Sequence, residues 1–227
     1  MRPSSTCVCK HINAVETNCR FIILMHPKEY KKEKNGTGHM TGLQLKNSEI
    51  IVDVDFTNHR RVNEILNDEN SSSFLMYPGK ESFNLSLENG EATTSFLGKK
   101  PNIFILDGTW PCARKMLKLS KNLRALKKVS FDNEIKSKFV IKQQPQALCL
   151  STIESVYTVI NILNESGYED CDTKDFLLPF EKMIDSQVHY ILNPNPNGYR
   201  PNTSRELKPK DNYKKNPQRT VFYKGEN

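Results

Sequence analysis

The fold is decided by residues 103–110, which read Ile103-Phe104-Ile105-Leu106-Asp107-Gly108-Thr109-Trp110. The first four residues form a short apolar run, and such a run predicts a buried strand. The last four differ in character: Gly108 lets the backbone approach a ligand closely, Thr109 offers a donor and an acceptor, and the chain's only tryptophan offers a flat face. A buried strand that ends in these residues predicts a binding site.

Two more apolar runs, residues 21–25 and 74–77, predict buried strands, and residues 49–56 are a weaker candidate. The runs alternate with helical patterns, which predicts an α/β fold with a mostly parallel sheet flanked by helices. Residues 21–25 are followed by His26-Pro27, and residues 74–77 are followed by Pro78-Gly79. Ligands of open α/β sheets bind beyond the carboxyl ends of the strands, so we expect these ends to form one site.

The apolar residues after Trp110 step by four, three, four and three positions, which predicts an amphipathic helix running through Leu126. Its opposite face carries only basic residues, and they are Arg114, Lys115, Lys118, Lys121, Arg124, Lys127 and Lys128. No i,i+4 pairing with an acidic residue relieves their mutual repulsion. The face is therefore either a surface for a polyanion or an ordinary solvated surface.

A second helix is predicted to begin at Ser151, because Ser151-Thr152-Ile153-Glu154 has the spacing of a capping box. The amides at such a helix start can bind a carboxylate or a phosphate, although they can also serve as a plain cap. Asp107 likewise has two interpretations: a catalytic carboxylate, or the cap of the helix that follows Trp110. We expect the turn at Trp110 and the helix start at Ser151 to meet in space.

The 227 residues include 33 Lys and Arg against 26 Asp and Glu, and this net charge of +7 favours an anionic partner. A mean hydropathy of -0.62, with no apolar run of about 20 residues, excludes a membrane protein. The first residues show no apolar secretory signal, so we expect a cytoplasmic protein. Residues 1–192 form the predicted domain, and residues 193–227, basic and rich in Pro, Asn and Lys, form a predicted flexible tail.

Six motifs follow one another along the chain. They are Cys7-Val8-Cys9, Met25-His26-Pro27-Lys28-Glu29, Asn35-Gly36-Thr37-Gly38, Leu75-Met76-Tyr77-Pro78-Gly79, Leu106-Asp107-Gly108-Thr109-Trp110-Pro111-Cys112-Ala113-Arg114-Lys115-Met116 and Leu150-Ser151-Thr152-Ile153-Glu154-Ser155. In this order they resemble the motifs of the DTW-domain proteins, a family of tRNA-uridine aminocarboxypropyltransferases. One motif alone carries little weight, whereas the ordered set is improbable by chance.

The resemblance implies a SPOUT-like fold with a C-terminal trefoil knot that binds S-adenosylmethionine. It also implies an activity, the transfer of the 3-amino-3-carboxypropyl group of S-adenosylmethionine to N3 of a uridine in tRNA, with release of methylthioadenosine. tRNA is thus the expected partner and S-adenosylmethionine the expected co-substrate. No membrane partner is expected, and the oligomeric state stays open with a monomer favoured.

The matched motifs imply roles for individual residues. Asp107 and Thr109 are the expected catalytic residues, and Asp107 acts as the base or as the group that orients the uridine. The expected donor-binding residues are Leu75, Pro78, Gly79, Thr109, Trp110, Leu148, Leu150, Ser151 and Thr152. The expected RNA-binding residues are Arg114, Lys115, Lys118, Lys121, Arg124, Lys142 and Arg200. Lys142 stands where the family pattern leads us to expect an arginine.

Two other functions stay open from the sequence. A related knotted fold would transfer the methyl group of the same donor, and a non-catalytic RNA-binding protein would use Asp107 only as a helix cap. No metal is assigned, although Cys7, Cys9 and Cys19, together with His11, are an alternative zinc site of unusual ligand spacing.

Overall fold

The computed structural model of the protein describes residues 6–32, 36–132, 137–138 and 150–193. Over this part the chain forms one six-stranded sheet with helices packed on both faces. The expectations for Lys142, Leu148, Arg200 and the tail from residue 194 onward lie outside the described residues. The SPOUT-like assignment and its knot stay predictions.

The strands are β1 (Arg20–Met25), β2 (Ser48–Val52), β3 (Ser72–Met76), β4 (Phe83–Asn84), β5 (Pro101–Asp107) and β6 (Lys127–Ser130). They lie in the order β2, β1, β5, β3, β6, β4, and every pair is parallel. The prediction of an α/β fold with a mostly parallel sheet flanked by helices is therefore confirmed. The three strong apolar runs form β1, β5 and β3, which are neighbours in the middle of the sheet.

The central strands are apolar along their length because both faces of the sheet are covered. In β5, Ile103 and Ile105 belong to one core and Phe104 to the other, as expected for side chains that alternate between faces. The register of β1 and β5 pairs Met25 with Asp107. The two strands therefore end side by side at the carboxyl edge of the sheet.

The helices are α1 (Pro27–Lys32), α2 (Thr37–Leu43), α3 (Arg60–Leu66), α4 (Gly90–Leu97), α5 (Trp110–Leu119), α6 (Lys121–Arg124), α7 (Thr152–Glu165) and α8 (Leu178–Leu192). Helices α2, α4, α7 and α8 contribute side chains to the core on one face of the sheet, and α3, α5 and α6 contribute to the core on the other. None of the helices in the described part of the chain combines the length and the apolar composition of a membrane span.

The single amphipathic helix predicted after Trp110 is wrong, because the helix is interrupted at Ser120, between α5 and α6. The buried Ser120 hydroxyl accepts a hydrogen bond from the Phe56 amide at 2.9 Å. The Lys121 amide, which a continuous helix would use internally, donates to Thr57 Oγ1 at 3.1 Å. The last two basic residues of the predicted helix face lie in β6 instead.

Candidate active site at the carboxyl edge of the sheet

Asp107 is the last residue of β5, and only 7% of its surface is exposed. Its carbonyl oxygen accepts a hydrogen bond from the His26 amide at 2.9 Å. Because His26 directly follows β1, this bond ties the ends of the two central strands together. By the alternation along β5, the Asp107 side chain lies on the same face as Ile103 and Ile105, the face covered by α2 and α7. The strand ends thus hold a buried carboxylate where α/β proteins bind ligands.

Two helix starts meet at the Asp107 carboxylate. Thr152, the first residue of α7, donates from Oγ1 to Asp107 Oδ1 at 2.5 Å. Gly38, in the first turn of α2, is so close that a Cβ at this position would come within 2.7 Å of Asp107 Cγ and 2.8 Å of Met25 Cε. Side-chain carbons do not approach this closely, so the orientation of the carboxylate depends on a glycine at residue 38.

The interpretation of Asp107 as the cap of the following helix is wrong. Helix α5 begins at Trp110, and Thr109 holds the N-cap position, its carbonyl oxygen accepting from the Ala113 amide at 2.8 Å. The Asp107 side chain reaches α7 instead. The turn before Trp110 and the helix start at Thr152 therefore meet, as the sequence led us to expect.

Glu154 fixes the start of α7 from below. Its buried carboxylate accepts from the amide of Ser151 at 2.8 Å and from the hydroxyl of Ser151 at 2.6 Å, and the predicted capping box is confirmed. The same carboxylate accepts from the Ser137 hydroxyl and the Lys138 amide, each at 2.7 Å. These bonds hold the first turn of α7 in place, and with it Thr152, which stays within hydrogen-bond distance of Asp107.

An edge-to-face aromatic pair stands next to the turn. The ring centroids of Trp110 and Tyr77 are 6.5 Å apart with an interplanar angle of 68°. Trp110 is 39% exposed, and the neighbouring Thr109 is exposed as well, so both residues offer surface to a ligand. Burial raises the pKa of the Tyr77 hydroxyl, which therefore stays protonated at neutral pH.

The other described donor-binding candidates lie around the same edge. Pro78 and Gly79 follow β3, and in the described part of the chain no atom beyond the two neighbours of Gly79 lies within 4 Å of where its Cβ would be. Leu150 is half-buried and directly precedes the capping box. Leu75 has a fully buried side chain in the core covered by α3, α5 and α6. It therefore supports the turn by packing and offers a ligand no exposed surface.

His26 received no role from the sequence, yet it lies at the end of β1 beside Asp107. Its ring is buried, and Nδ1 accepts a hydrogen bond from the Lys28 amide at 3.1 Å. A Cβ on Gly108 would lie 3.4 Å from the His26 Cβ, an ordinary van der Waals distance, so the turn packs directly on the histidine. Burial and then the charge of Lys28 lower the pKa of His26, and the ring is neutral at physiological pH. The signal in the sequence is a histidine at the end of a buried strand.

A basic surface begins one helical turn after Trp110. We define it by the exposed residues Arg114, Lys115, Lys118, Lys121 and Arg124 of α5 and α6. Within the described ranges, none of these side chains forms an ion pair. An uncompensated row of positive charge that starts next to a candidate site suits a polyanion.

The structure does not support the zinc alternative. Cys19 is fully buried in the core, and burial raises the pKa of its thiol, which disfavours the thiolate that zinc binds. Cys9 and His11 lie on a short 3-10 turn near the start of the described chain. Over residues 6–32, 36–132, 137–138 and 150–193, no three His, Cys, Asp or Glu side chains converge so that they could hold a metal ion.

Similar curated proteins share one name. Proteins named tRNA-uridine aminocarboxypropyltransferase 2 from Mus musculus and Macaca fascicularis are 24% and 26% identical to this chain, each over 196 residues. The protein of that name from Drosophila melanogaster is 29% identical over 171 residues. The alignments cover 83%, 83% and 71% of this chain and 62%, 62% and 64% of the three relatives, so the chain spans less than two thirds of their length.

No solved structure gives a significant match. The family model of the DTW domain matches residues 1–188, which is most of the chain. This is the family that the six ordered motifs resemble. The chain therefore belongs to the DTW domain family.

Proposed function

We propose that the protein transfers the 3-amino-3-carboxypropyl group of S-adenosylmethionine to N3 of a uridine in tRNA and releases methylthioadenosine. The observation that carries the proposal is the buried Asp107 carboxylate, held by Thr152 at the strand ends beside an exposed Trp110. Membership in the DTW family and the name of the relatives support the substrate class.

The proposed reaction needs a group that takes the N3 proton of uracil. N3 attacks the Cγ carbon of the donor, and the N–C bond forms as the C–S bond breaks, so the bonding pair leaves with sulfur as a neutral thioether. We assign the proton to the Asp107 carboxylate, whose orientation is fixed by the 2.5 Å bond from Thr152. Thr109, exposed two residues further on, is the second catalytic group and orients the uracil ring.

In this proposal most of the rate enhancement comes from positioning the reactants. The sulfonium leaves as a neutral thioether, so no leaving anion has to be stabilised. The nucleophile, the carbon and the sulfur must lie in line. Gly38 and Thr152 restrain the Asp107 carboxylate from two different helices, and the bond between His26 and Asp107 restrains its backbone. A rigid carboxylate of this kind serves an alignment mechanism.

We assign the donor to the edge between the turn after β3 and the start of α7. The proposed donor-binding residues are Pro78, Gly79, Thr109, Trp110, Leu148, Leu150, Ser151 and Thr152, with Leu75 beneath them. The amides at the start of α7 suit the donor's carboxylate. The exposed indole suits the sulfonium, because a cation is attracted to an aromatic face. The open space at Gly79 leaves room for the adenine.

The proposal includes the SPOUT-like fold of the family, with a C-terminal knot that binds the donor. The parallel sheet and the position of the α7 start at the strand ends are compatible with it. We assign tRNA to the basic surface, extended by Lys142 and Arg200. Contacts between phosphates and lysine or arginine would fix the register of the RNA and make its affinity dependent on salt.

Isotopic labelling tests the proposal. The protein is incubated with unmodified tRNA and S-adenosylmethionine labelled either in the carboxypropyl carbons or in the methyl group, and the nucleosides are analysed by mass spectrometry. Carboxypropyl label on a uridine, with methylthioadenosine released in equal amount, is the expected result. Methyl label would identify a methyltransferase. RNA that binds without either label would identify a non-catalytic RNA-binding protein.

A further inference from the structure

The His26 ring presents one polar atom that the fold does not use. Nδ1 accepts from the Lys28 amide, which leaves the proton on Nε2. Nε2 makes no hydrogen bond to the described residues. It is also not fully buried, because among those residues Thr93 Oγ1 is the side-chain polar atom that is both fully buried and without a partner. His26 is 7% exposed, so its Nε2–H is available as a hydrogen-bond donor at the strand ends.

The His26 side chain lies on the opposite face of the sheet from the Asp107 carboxylate. Ile22 and Leu24 of β1 belong to the core beneath α5, and by the same alternation His26 follows them on that face. A Cβ on Gly108 would touch both His26, at 3.4 Å, and Cys112 of α5, at 3.3 Å. Gly108 therefore lies between His26 and the first turn of α5, the helix that carries the basic surface.

The charges around the ring favour an anion. Lys28 of α1 and Lys115 of the basic surface both act on His26 with positive charge, and Glu29 of α1 acts on it with negative charge. Lys28 and Lys115 are exposed, whereas Glu29 is buried. A ligand that reaches the ring thus meets a neutral N–H donor near which two exposed cations contribute positive charge, which suits a phosphate oxygen.

We propose that His26 is a positioning residue for RNA, and that its Nε2–H donates to a phosphodiester oxygen of the nucleotide that reacts or of its neighbour. The inference rests on the proposed function and deepens it. An RNA strand held along the basic surface would reach the strand ends at His26, one strand away from Asp107, and neighbouring strands lie about 5 Å apart. The phosphate contact would hold the RNA backbone at the strand ends and add to the affinity for tRNA.

The donor's carboxylate is the other anion present in the reaction, and the geometry disfavours it here. The amides of the α7 start and the Thr152–Asp107 bond lie on the face covered by α2 and α7. His26 lies on the face covered by α5. A donor seated at α7 would have its carboxylate on the wrong side of β5 to reach the His26 ring.

The test compares His26→Ala and His26→Gln with the wild type. Glutamine offers an oxygen that can accept from the Lys28 amide and an N–H that can replace Nε2–H. We expect His26→Ala to raise the KM for tRNA about three- to tenfold, the effect of one lost hydrogen bond, with kcat and the KM for S-adenosylmethionine unchanged. We expect His26→Gln to restore most of the tRNA affinity. His189→Ala, which removes an exposed histidine of α8, is the matched control.

Three results overturn the proposal. An unchanged KM for tRNA with a lower kcat would place the ring in the chemistry, and a raised KM for S-adenosylmethionine would give it the donor's carboxylate. Equal defects in His26→Ala and His26→Gln would mean that the N–H donor is not what matters. Filter binding of tRNA needs no transfer, so it tests His26 separately from the proposed activity.

Discussion

The hydrogen bond from Thr152 Oγ1 to Asp107 Oδ1 joins two parts of the chain that lie 45 residues apart. It orients the carboxylate at the end of β5 and anchors the first turn of α7 at the same time. The proposed base and the proposed donor-binding helix start are thus mechanically one unit. Substitutions on either side of this bond should therefore affect catalysis before they affect RNA binding.

Replacing Asp107 with Asn should abolish transfer while leaving tRNA binding intact. Asparagine keeps an oxygen that accepts from Thr152 and fits beside Gly38, but it cannot take the N3 proton. We expect the single-turnover rate to fall about 100-fold or more. Rapid quench with labelled donor measures the rate, and filter binding measures the affinity for tRNA.

Asp55→Asn is the matched control for this substitution. Asp55 is exposed, follows β2 and accepts hydrogen bonds from Thr57, which an asparagine oxygen can also accept. It should transfer at the wild-type rate. A drop in melting temperature of Asp107→Asn that accounts for its lost activity would show that Asp107 is structural and not catalytic.

Adding one methyl group at Gly38 should disable the site. The new Cβ would have to displace the Asp107 carboxylate and Met25, an overpacking that costs about 1–3 kcal/mol. A shift of about 1 Å in the carboxylate should lower the transfer rate about 100-fold. Gly42→Ala is the control in the same helix, because its Cβ would meet the Ile50 side chain, at 3.0 Å, and Ser48 Oγ, at 3.8 Å, and neither belongs to the proposed site. Equal activity of the two variants would contradict the role given to Gly38.

The central strands could be predicted from the sequence because their surroundings leave a direct trace in it. Since β1, β3 and β5 are covered on both faces, their residues form unbroken apolar runs. The sequence of β6, Lys127-Lys128-Val129-Ser130, does not predict a strand, because it contains one buried apolar residue. The Lys127 ammonium lies over the Phe96 ring, 5.5 Å from its centroid, and this tertiary contact leaves no trace in the local sequence. Nothing local marks such a segment as a strand.

The site was predictable where one motif carries it and unpredictable where tertiary contacts do. Asp107 and Trp110 can be proposed from the sequence because they follow a strong strand signal. The roles of Gly38 and His26 depend on which elements pack against the Asp107 turn, and spacing along the chain does not contain that information. The break between α5 and α6 was missed for the same reason, because its cause is a bond from Phe56, 64 residues away.

Trp110 should report donor binding directly. It is the only tryptophan in the sequence and it is partly exposed in the proposed donor site, so its fluorescence on excitation near 295 nm has one source. We expect S-adenosylmethionine to change the emission in a saturable way, with the same apparent affinity as its KM when dissociation is fast. Emission that does not change under conditions of full transfer would remove Trp110 from the donor site.

Removing charge from the basic surface should weaken tRNA binding without slowing the chemistry. In Lys118→Ala/Lys121→Ala, two exposed cations are lost, so the slope of log affinity against log salt should become shallower by about 1.5 to 2. The control is Lys174→Ala/Lys182→Ala, which removes the same charge near α8, a helix on the other face of the sheet. If both double variants lose affinity equally, only net charge matters and the surface has no specific role.

Stability at acid pH should depend on Glu49, away from the site. Its pKa is lowered chiefly by hydrogen bonds from Arg61, and Arg20 adds a bond of 2.6 Å. Because the folded pKa is below the unfolded one, the stabilisation is complete above about pH 5 and is lost as the pH falls through the folded pKa. The side chain is partly exposed, so the effect is about 1 kcal/mol or less.

Urea unfolding of Glu49→Gln should show a flatter pH dependence between about pH 3 and 5 than the wild type. Glu16→Gln, which breaks an exposed pair with Lys46, should keep the wild-type slope, and an equal flattening there would show that the slope does not come from Glu49.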